Sequence, residues 1–259
     1  MTGGAVAIEA HGLGKDFGSI RALDSLDLEV GEAEFFGFLG PNGAGKTTTV
    51  HLLATLLRPS RGIASVCGHD VARESLAVRR SIGLVFQETT LDRDLSVEEN
   101  LRFAAQLWDL PGRMARPRIE QLLQQFGLLD RRRSPVRTLS SGMRRALDIA
   151  RGILHQPRLL FLDEPTAGLD PRARRSLWEF IQGLRASSGV TLFLTTHYVE
   201  EAEPCDRVAL LDRGRLAALG TPEALKRAAG VGSLEEVFLA STAHPLDEAS
   251  PASPAQPGG

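Results

Sequence analysis

The stretch GPNGAGKTT, Gly40–Thr48, has the spacing G-x-x-x-x-G-K-[ST] and lies between an apolar run and a helical pattern. Residues of these types suit the task of holding a chain of phosphates. Phosphate charge needs many donors at close range. Glycines let backbone N–H groups come near, and a helix N-terminus adds a favourable field. Gly40, Pro41, Asn42, Gly43, Ala44, Gly45 and Thr48 are expected to form the cradle. Lys46 is expected to reach the β- and γ-phosphates, and the Thr47 hydroxyl to ligate Mg2+. A second stretch, LLFLDEP, ends a buried run on two carboxylates. Asp163 is expected to hold Mg2+ through water, because Mg2+ keeps several of its waters. Glu164, beside it and pointing elsewhere, is placed to orient and polarise an attacking water. Both motifs together predict a site for a nucleoside triphosphate. Transfer to a small molecule and hydrolysis by water both stay open on these two motifs alone.

Such a site needs strands that end in loops. Residues 5–10 read as a first strand, and DSLDLEV alternates apolar and polar residues, the pattern of a strand with one exposed face. EFFGFLG is nearly continuous in apolar residues, as in a central strand covered on both sides. A helix is predicted from Lys46 to Leu57, stopped by Arg58-Pro59. SIGLVFQ, RLLFLDE, TLFLTTH and RVALLDRG read as further strands. Between about Thr89 and His155 the pattern turns helical. Ser96 and Glu99 form a capping box there, and Ile119, Leu122, Leu123 and Phe126 mark one apolar helix face. Strands alternating with helices predict an α/β chain with a mainly parallel sheet, interrupted by an inserted helical block. The proline-rich stretch STAHPLDEASPASPAQPGG reads as a disordered tail.

Composition excludes several alternatives. A net charge of −2 gives no electrostatic reason to expect nucleic acid as a partner. Two cysteines, Cys67 and Cys205, without CxxC or His-rich spacing, argue against a zinc site or a disulfide framework and suit a reducing compartment. The start, MTGGAVAIEAHGLGKDFG, lacks the basic and apolar segments of a signal peptide. No apolar run approaches the roughly 20 residues that span a bilayer. Any membrane part is therefore expected on another chain.

A third stretch, LSSGM at Leu139–Met143, resembles the signature of ABC-type ATPases, usually LSGGQ, and precedes LLFLDEP at that family's spacing. Other motifs of the family follow in order: Phe17 in DFG, Gln87 at the end of GLVFQ, AGLD at Ala167–Asp170, and His197 ending TLFLTTH. The resemblance covers roughly Ala7–Leu225. It implies a P-loop NTPase core (about 5–88 and 156–225) with an antiparallel β subdomain and an inserted helical subdomain (about 89–155). A short C-terminal element (226–240) would close an ATPase domain over 1–240, with a tail at 241–259. It implies ATP and Mg2+ as ligands. Phe17 would stack on adenine, and Gln87 would sense Mg2+ and the attacking water and relay this to a membrane permease. Ser140 and Gly142 would contact the γ-phosphate held by a second ATPase subunit in a homodimer, with Asp170 at the seam. His197 would contact the γ-phosphate and steady Glu164 and its water. The chain would sit peripherally on the cytoplasmic face of the membrane. Arg144 and Arg145 could add positive potential at the signature turn but read first as solvated helix charges, and His11, His51, His69, His155 and His244 read as structural or surface residues.

The signature departs from the usual form twice, with Ser141 for glycine and Met143 for glutamine. If the turn needs positive φ, a serine Cβ there would cost about 1–3 kcal/mol of strain; if it does not, Ser141 only adds a hydroxyl. The GMRR variant, the region FQETTLDRDLSVEENLRFAAQLWDLPG and the late GSLEEVFLA, with Leu234, Val237 and Phe238 on one helical face, resemble the daunorubicin-resistance-like drug exporters. That resemblance implies export of a drug-like substrate. An importer ATPase shares every motif named, and a soluble ABC ATPase or a non-hydrolysing ATP-binding module are the remaining alternatives.

Overall fold

The structure, a computed structural model, describes residues 5–242. Among these residues the strands form two sheets. In the smaller, β1 (Val6–Phe17) pairs antiparallel with β2 (Ile20–Gly31) and β4 (Arg61–Val66), and β4 with the short β5 (His69–Asp70). This is the antiparallel subdomain that the resemblance implies. The other sheet holds β3 (Phe35–Leu39), β6 (Ile82–Val85), β7 (Leu159–Asp163), β8 (Thr191–Thr196), β9 (Arg207–Asp212) and β10 (Arg215–Gly220), in the order β10-β9-β3-β8-β7-β6. All its pairs are parallel except the edge hairpin β9–β10.

The apolar runs of β3, β7 and β8 follow from burial on both faces. Phe36, Phe38, Phe161 and Phe193 point to one side, where they meet the antiparallel sheet and α1 (Lys46–Leu53). Ring centroids 5.3–5.5 Å apart make these four phenylalanines one aromatic cluster around Phe193. Leu39, Leu160, Leu162, Leu192 and Leu194 point to the other side. They share a core with α3 (Val97–Leu107), α4 (Gly112–Gln125), α5 (Ser141–Gly152) and α6 (Pro171–Ser188). Between β5 and β6 lies α2 (Ser75–Ser81); after β8 come α7 (Val199–Ala202), α8 (Pro222–Ala229) and α9 (Leu234–Thr242).

Several boundaries differ from the sequence reading. β1 continues to Phe17, well beyond residue 10. α1 ends at Leu53, four residues before Leu57. There Thr55 takes φ 62°, and Thr55 and Leu56 donate back to the carbonyls of Leu52 and His51, a Schellman closure. Arg79 fixes this end by donating to the hydroxyl and carbonyl of Thr55. β6 stops at Val85 and β8 at Thr196, so Gln87 and His197 stand in the loops just past their strands. The capping box of Ser96 and Glu99 forms as expected, and Ile119, Leu122 and Leu123 bury the predicted face of α4. Leu234 and Val237 are buried on α9, which runs to Thr242; the rest of the expected tail lies outside the described residues.

Candidate functional site

The cradle forms where β3 gives way to α1. Gly43 and Gly45 take φ 80° and 104°, a region that glycine alone enters cheaply. At Gly40 a Cβ would stand 2.4 Å from the backbone oxygen of Leu211, so no larger residue fits. α3, α5, α6 and α8 each carry a side-chain cap, from Ser96, Ser140, Asp170 and Thr221. α1 has Gly45 at its N-cap, no capping side chain and no acid in its first turn. Its first N–H groups have no intrahelical partner, so its N-terminus is built for an outside anion. That donor set fits the phosphates of ATP.

Lys46 is 4% exposed, with its ammonium donating to the carbonyls of Gly40 (2.9 Å) and Pro41 (3.1 Å). The Thr47 hydroxyl donates to Asp163 Oδ1 at 3.3 Å, and Thr195 Oγ1 donates to the same oxygen at 2.5 Å. A threonine hydroxyl beside a carboxylate is an all-oxygen pair of the kind Mg2+ prefers, so these residues fit that ion.

Glu164 is the junction of the site. Its φ of 46° places a non-glycine residue in the left-handed region, held there by N–H bonds to Thr195 O and Oγ1, both 3.1 Å. The turn aims its carboxylate away from Asp163 and into a cluster. Oε1 lies 3.2 Å from Lys46 Nζ, and Oε2 accepts from Gln87 Nε2 at 3.2 Å. His197 Nδ1 also lies 3.2 Å from Oε2, a close approach without the alignment of a hydrogen bond. Asn42, Lys46, Thr48, Gln87, Glu164 and His197 line a cavity of about 380 Å³. Residues predicted from four motifs thus meet here, the phosphate loop, LLFLDEP, GLVFQ and TLFLTTH, while two predicted groups stand apart. Phe17 stands 45% exposed at the end of β1, with Lys15 over its ring, and does not line this cavity.

Ser140 and Gly142 are the other exception. With Asp170, Ala173, Phe126 and Phe180 they line a separate cleft of about 370 Å³ that shares no lining residue with the first. Ser140 caps α5, its hydroxyl accepting from Met143 N at 3.2 Å. Ser141 is the first helical residue and has no positive φ, so the serine-for-glycine change stores no strain. Gly142 has a real packing need, since a Cβ there would lie 2.9 Å from that of Ala173. Met143 is half-buried and packs against the helical core. Asp170 caps α6 by accepting from Arg172 and Ala173.

Two residues correct the sequence reading. Arg145 is no solvated charge: it is 4% exposed and donates to Phe86 O at 2.6 Å and Gln87 O at 2.5 Å. Arg144 is half-buried and donates to Leu139 O. Glu201 stands in the acidic run YVEEAE, which carries no mark of burial. It is buried, accepting from Thr166 Oγ1 and, at 2.7 Å, from Thr196 Oγ1. One carboxylate thereby ties the loop after Glu164 to the loop carrying His197. Of the histidines, His155 is structural: it stacks on Trp108 at 3.9 Å and bonds Ile82 O. Burial holds its pKa below the ordinary value.

Known proteins are similar to this chain in sequence and in fold. The model of the ABC transporter family matches residues 23–167. The daunorubicin resistance ATP-binding protein DrrA3 of Streptomyces coeruleorubidus is 47% identical over 233 residues, which cover 90% of this chain and 73% of that protein. The doxorubicin resistance ATP-binding protein DrrA of Mycobacterium tuberculosis is 45% identical over 228 residues, covering 87% and 69%. Among solved structures, the ATP binding subunit of an ABC transporter superposes with a TM-score of 0.82 at 31% identity, over 91% of this chain and 99% of that one. A dimeric post-hydrolysis state of the ATP-binding cassette MJ0796, bound to ADP and Pi, gives 0.75 at 25% identity, over 83% and 98%. With cradle, acidic pair and signature all in place, this chain belongs to the ABC transporter family as one of its ATP-binding and ATP-hydrolysing subunits.

Proposed function

We propose that this chain works as a homodimer that drives export of a drug-like, lipophilic molecule through a separate membrane permease. The observation that carries the dimer is the division of the chain into two half-sites. Lys46 and Glu164 face one cleft and Ser140 and Gly142 another, so a second copy is needed to bring a signature turn to each phosphate site. The drug-like substrate rests on the names of the two resistance proteins and on the shared GMRR and GSLEEVFLA stretches.

In this reading the phosphates of ATP take the place of Glu164 at Lys46. The freed carboxylate then orients and polarises water, with Gln87 and His197 already beside it. Thr47 and Asp163 would hold Mg2+, which supplies positive charge to the β- and γ-phosphate oxygens. Phe17, exposed at the strand end, offers its face to adenine. The partner's signature turn adds Ser140 and the N-terminus of α5 to the γ-phosphate. ATP therefore binds the closed pair better than the open one, and its hydrolysis releases the pair.

Sizing of purified Glu164→Gln protein with Mg-ATP tests the pairing. An ATP-dependent dimer is expected, and Ser141→Gly in the same background is expected to leave its fraction unchanged, because Ser141 is unstrained. A persistent monomer would overturn the homodimer; a dimer that forms only with glycine would show that Ser141 obstructs the closed turn.

No helix of the described residues is long and apolar enough to cross a membrane. A groove of about 610 Å³ offers a place for a permease: Leu56, Phe103 and Leu107 stand 47–68% exposed around the stacked Trp108 and His155. Contiguous exposed apolar residues of this kind mark interaction surfaces. Phe103→Asp combined with Leu107→Asp is expected to release the chain from membranes containing its permease. Because both side chains are at the surface, stability should change by about 0.5 kcal/mol or less per site, and hydrolysis by the purified chain should stay near native. Retention on the membrane would place the contact elsewhere.

A further inference from the structure

The helix that opens on the signature turn is also strapped to the loop carrying Gln87. Arg145 sits on the inner face of α5, and its guanidinium forks onto two successive carbonyls, Phe86 O and Gln87 O. Three residues on, Asp148 is fully buried. Its Oδ1 accepts from Arg151 at 2.7 Å, and its Oδ2 lies 3.8 Å from Arg145. Arg151 in turn donates to Thr90 O at 2.8 Å and to the Thr90 hydroxyl. The segment Phe86–Thr90 is thus fixed to α5 at both ends, by two arginines that one carboxylate organises. Burial pushes the Asp148 carboxyl up, against the opposing pull of Arg151 and Arg145, and burial likewise disfavours the charged form of Arg145. Neither charge is comfortable there without the other.

We propose that Arg145 is a positioning residue that couples the two nucleotide sites of the dimer, by linking the signature turn that serves the partner's ATP to the Gln87 that serves its own. This rests on the homodimer reading above. The route is short and stiff. Ser140 is bonded into the first turn of α5, and Gly142 has no slack against Ala173. At 1.5 Å rise per residue, Arg145 lies only about 7.5 Å along the helix from Ser140. From Arg145 the path runs through Gln87 to the carboxylate of Glu164 at 3.2 Å. When a signature turn engages the partner's γ-phosphate, α5 shifts as a unit and carries the 86–90 segment with it. The group that steadies Glu164 is then reset in the chain whose signature moved. A packed element with hydrogen bonds at both ends is the kind of physical connection such coupling needs.

The test is hydrogen exchange on the full chain in the Glu164→Gln background, with and without Mg-ATP, alone and combined with Arg145→Met. Without the second change, ATP should slow exchange both at 140–143 and at 86–90, by about tenfold, within the range of ordinary couplings. With Arg145→Met, protection at 140–143 should persist while that at 86–90 falls to about that of the ATP-free protein. A merely structural arginine would lower both together or neither, and either result overturns the proposal. No ATP-dependent protection at 140–143 even with Arg145 present overturns the homodimer reading instead, and the coupling with it. Should Arg145→Met not fold, Arg145→Lys keeps a charge beside Asp148 but cannot fork onto two carbonyls. The same separation of the two segments is expected of it, and joint protection in that variant overturns the proposal.

Discussion

Glu164→Gln is expected to slow ATP hydrolysis by about 10²–10⁴-fold, the loss typical of a missing general base, while ATP binding persists. The amide has the size of the carboxylate and can still accept from Gln87, so the geometry of the cluster is kept. The ability to draw a proton from water is not. The ion pair with Lys46 decides the direction of the binding effect. In the chain without nucleotide the Lys46 ammonium, nearly buried, faces Glu164 at 3.2 Å. ATP must displace that carboxylate before its phosphates can use the lysine. Glutamine removes the competitor, so affinity should stay level or rise. The variant should also gain more thermal stability from saturating ATP than the native chain, because a ligand stabilises by its affinity for the folded state. Turnover and equilibrium binding measured on the same preparation check both halves. Near-native turnover would mean that another group positions the water. Loss of binding together with turnover would mean that Glu164 serves the cradle rather than the reaction.

The same cluster shows how far the sequence could be read. The cradle and the acidic pair were legible because each is local. Nine consecutive residues encode the phosphate loop, and Asp163 and Glu164 follow directly from a buried strand. What lies across the fold was not local. The apolar run of β3 implied cover on both faces, but nothing in it announces that its neighbours are β8 and β9, strands that come more than 150 residues later. The left-handed backbone at Glu164 has no sequence mark.

Arg145 is instructive for the same reason. Beside Arg144 at the start of an amphipathic helix it reads as surface charge. It is buried because Phe86 and Gln87, 58 and more residues earlier, bring two carbonyls to it. The available signal was Asp148, an acid on the apolar side of α5, where a carboxylate survives only with cationic partners. Glu201 hides likewise in a run of acidic residues, and only Thr166 and Thr196 make it internal. The premature end of α1 has a tertiary cause too, since Arg79 grips Thr55 from 24 residues away. For Ser140 and Gly142 the limit was different. Their turn is local and was found, but a single chain contains no phosphate for them, so their partner was legible only through resemblance.

Lys46→Ala is expected to weaken ATP binding by about 10- to 150-fold, the equivalent of the 1.5–3 kcal/mol ascribed to a hydrogen bond with a charged group. Hydrolysis should fall at least as far, since the γ-phosphate would be both poorly held and poorly neutralised. The substitution also changes the chain without nucleotide. Glu164 keeps Gln87 and His197 but loses the ammonium beside it, and the carbonyls of Gly40 and Pro41 lose their shared donor. A buried carboxylate deprived of its partner is costly, so the apo variant should melt earlier than the native chain. Combining Lys46→Ala with Glu164→Gln separates the two effects. The double variant removes both members of the pair and should recover much of the lost stability, because no uncompensated charge remains, yet it should bind ATP no better than Lys46→Ala alone. Thermal melting and nucleotide titration of the four proteins form a double-mutant cycle. Additive melting shifts would mean that Lys46 and Glu164 do not interact in the folded chain, and unchanged ATP affinity in Lys46→Ala would remove the phosphate cradle from this lysine.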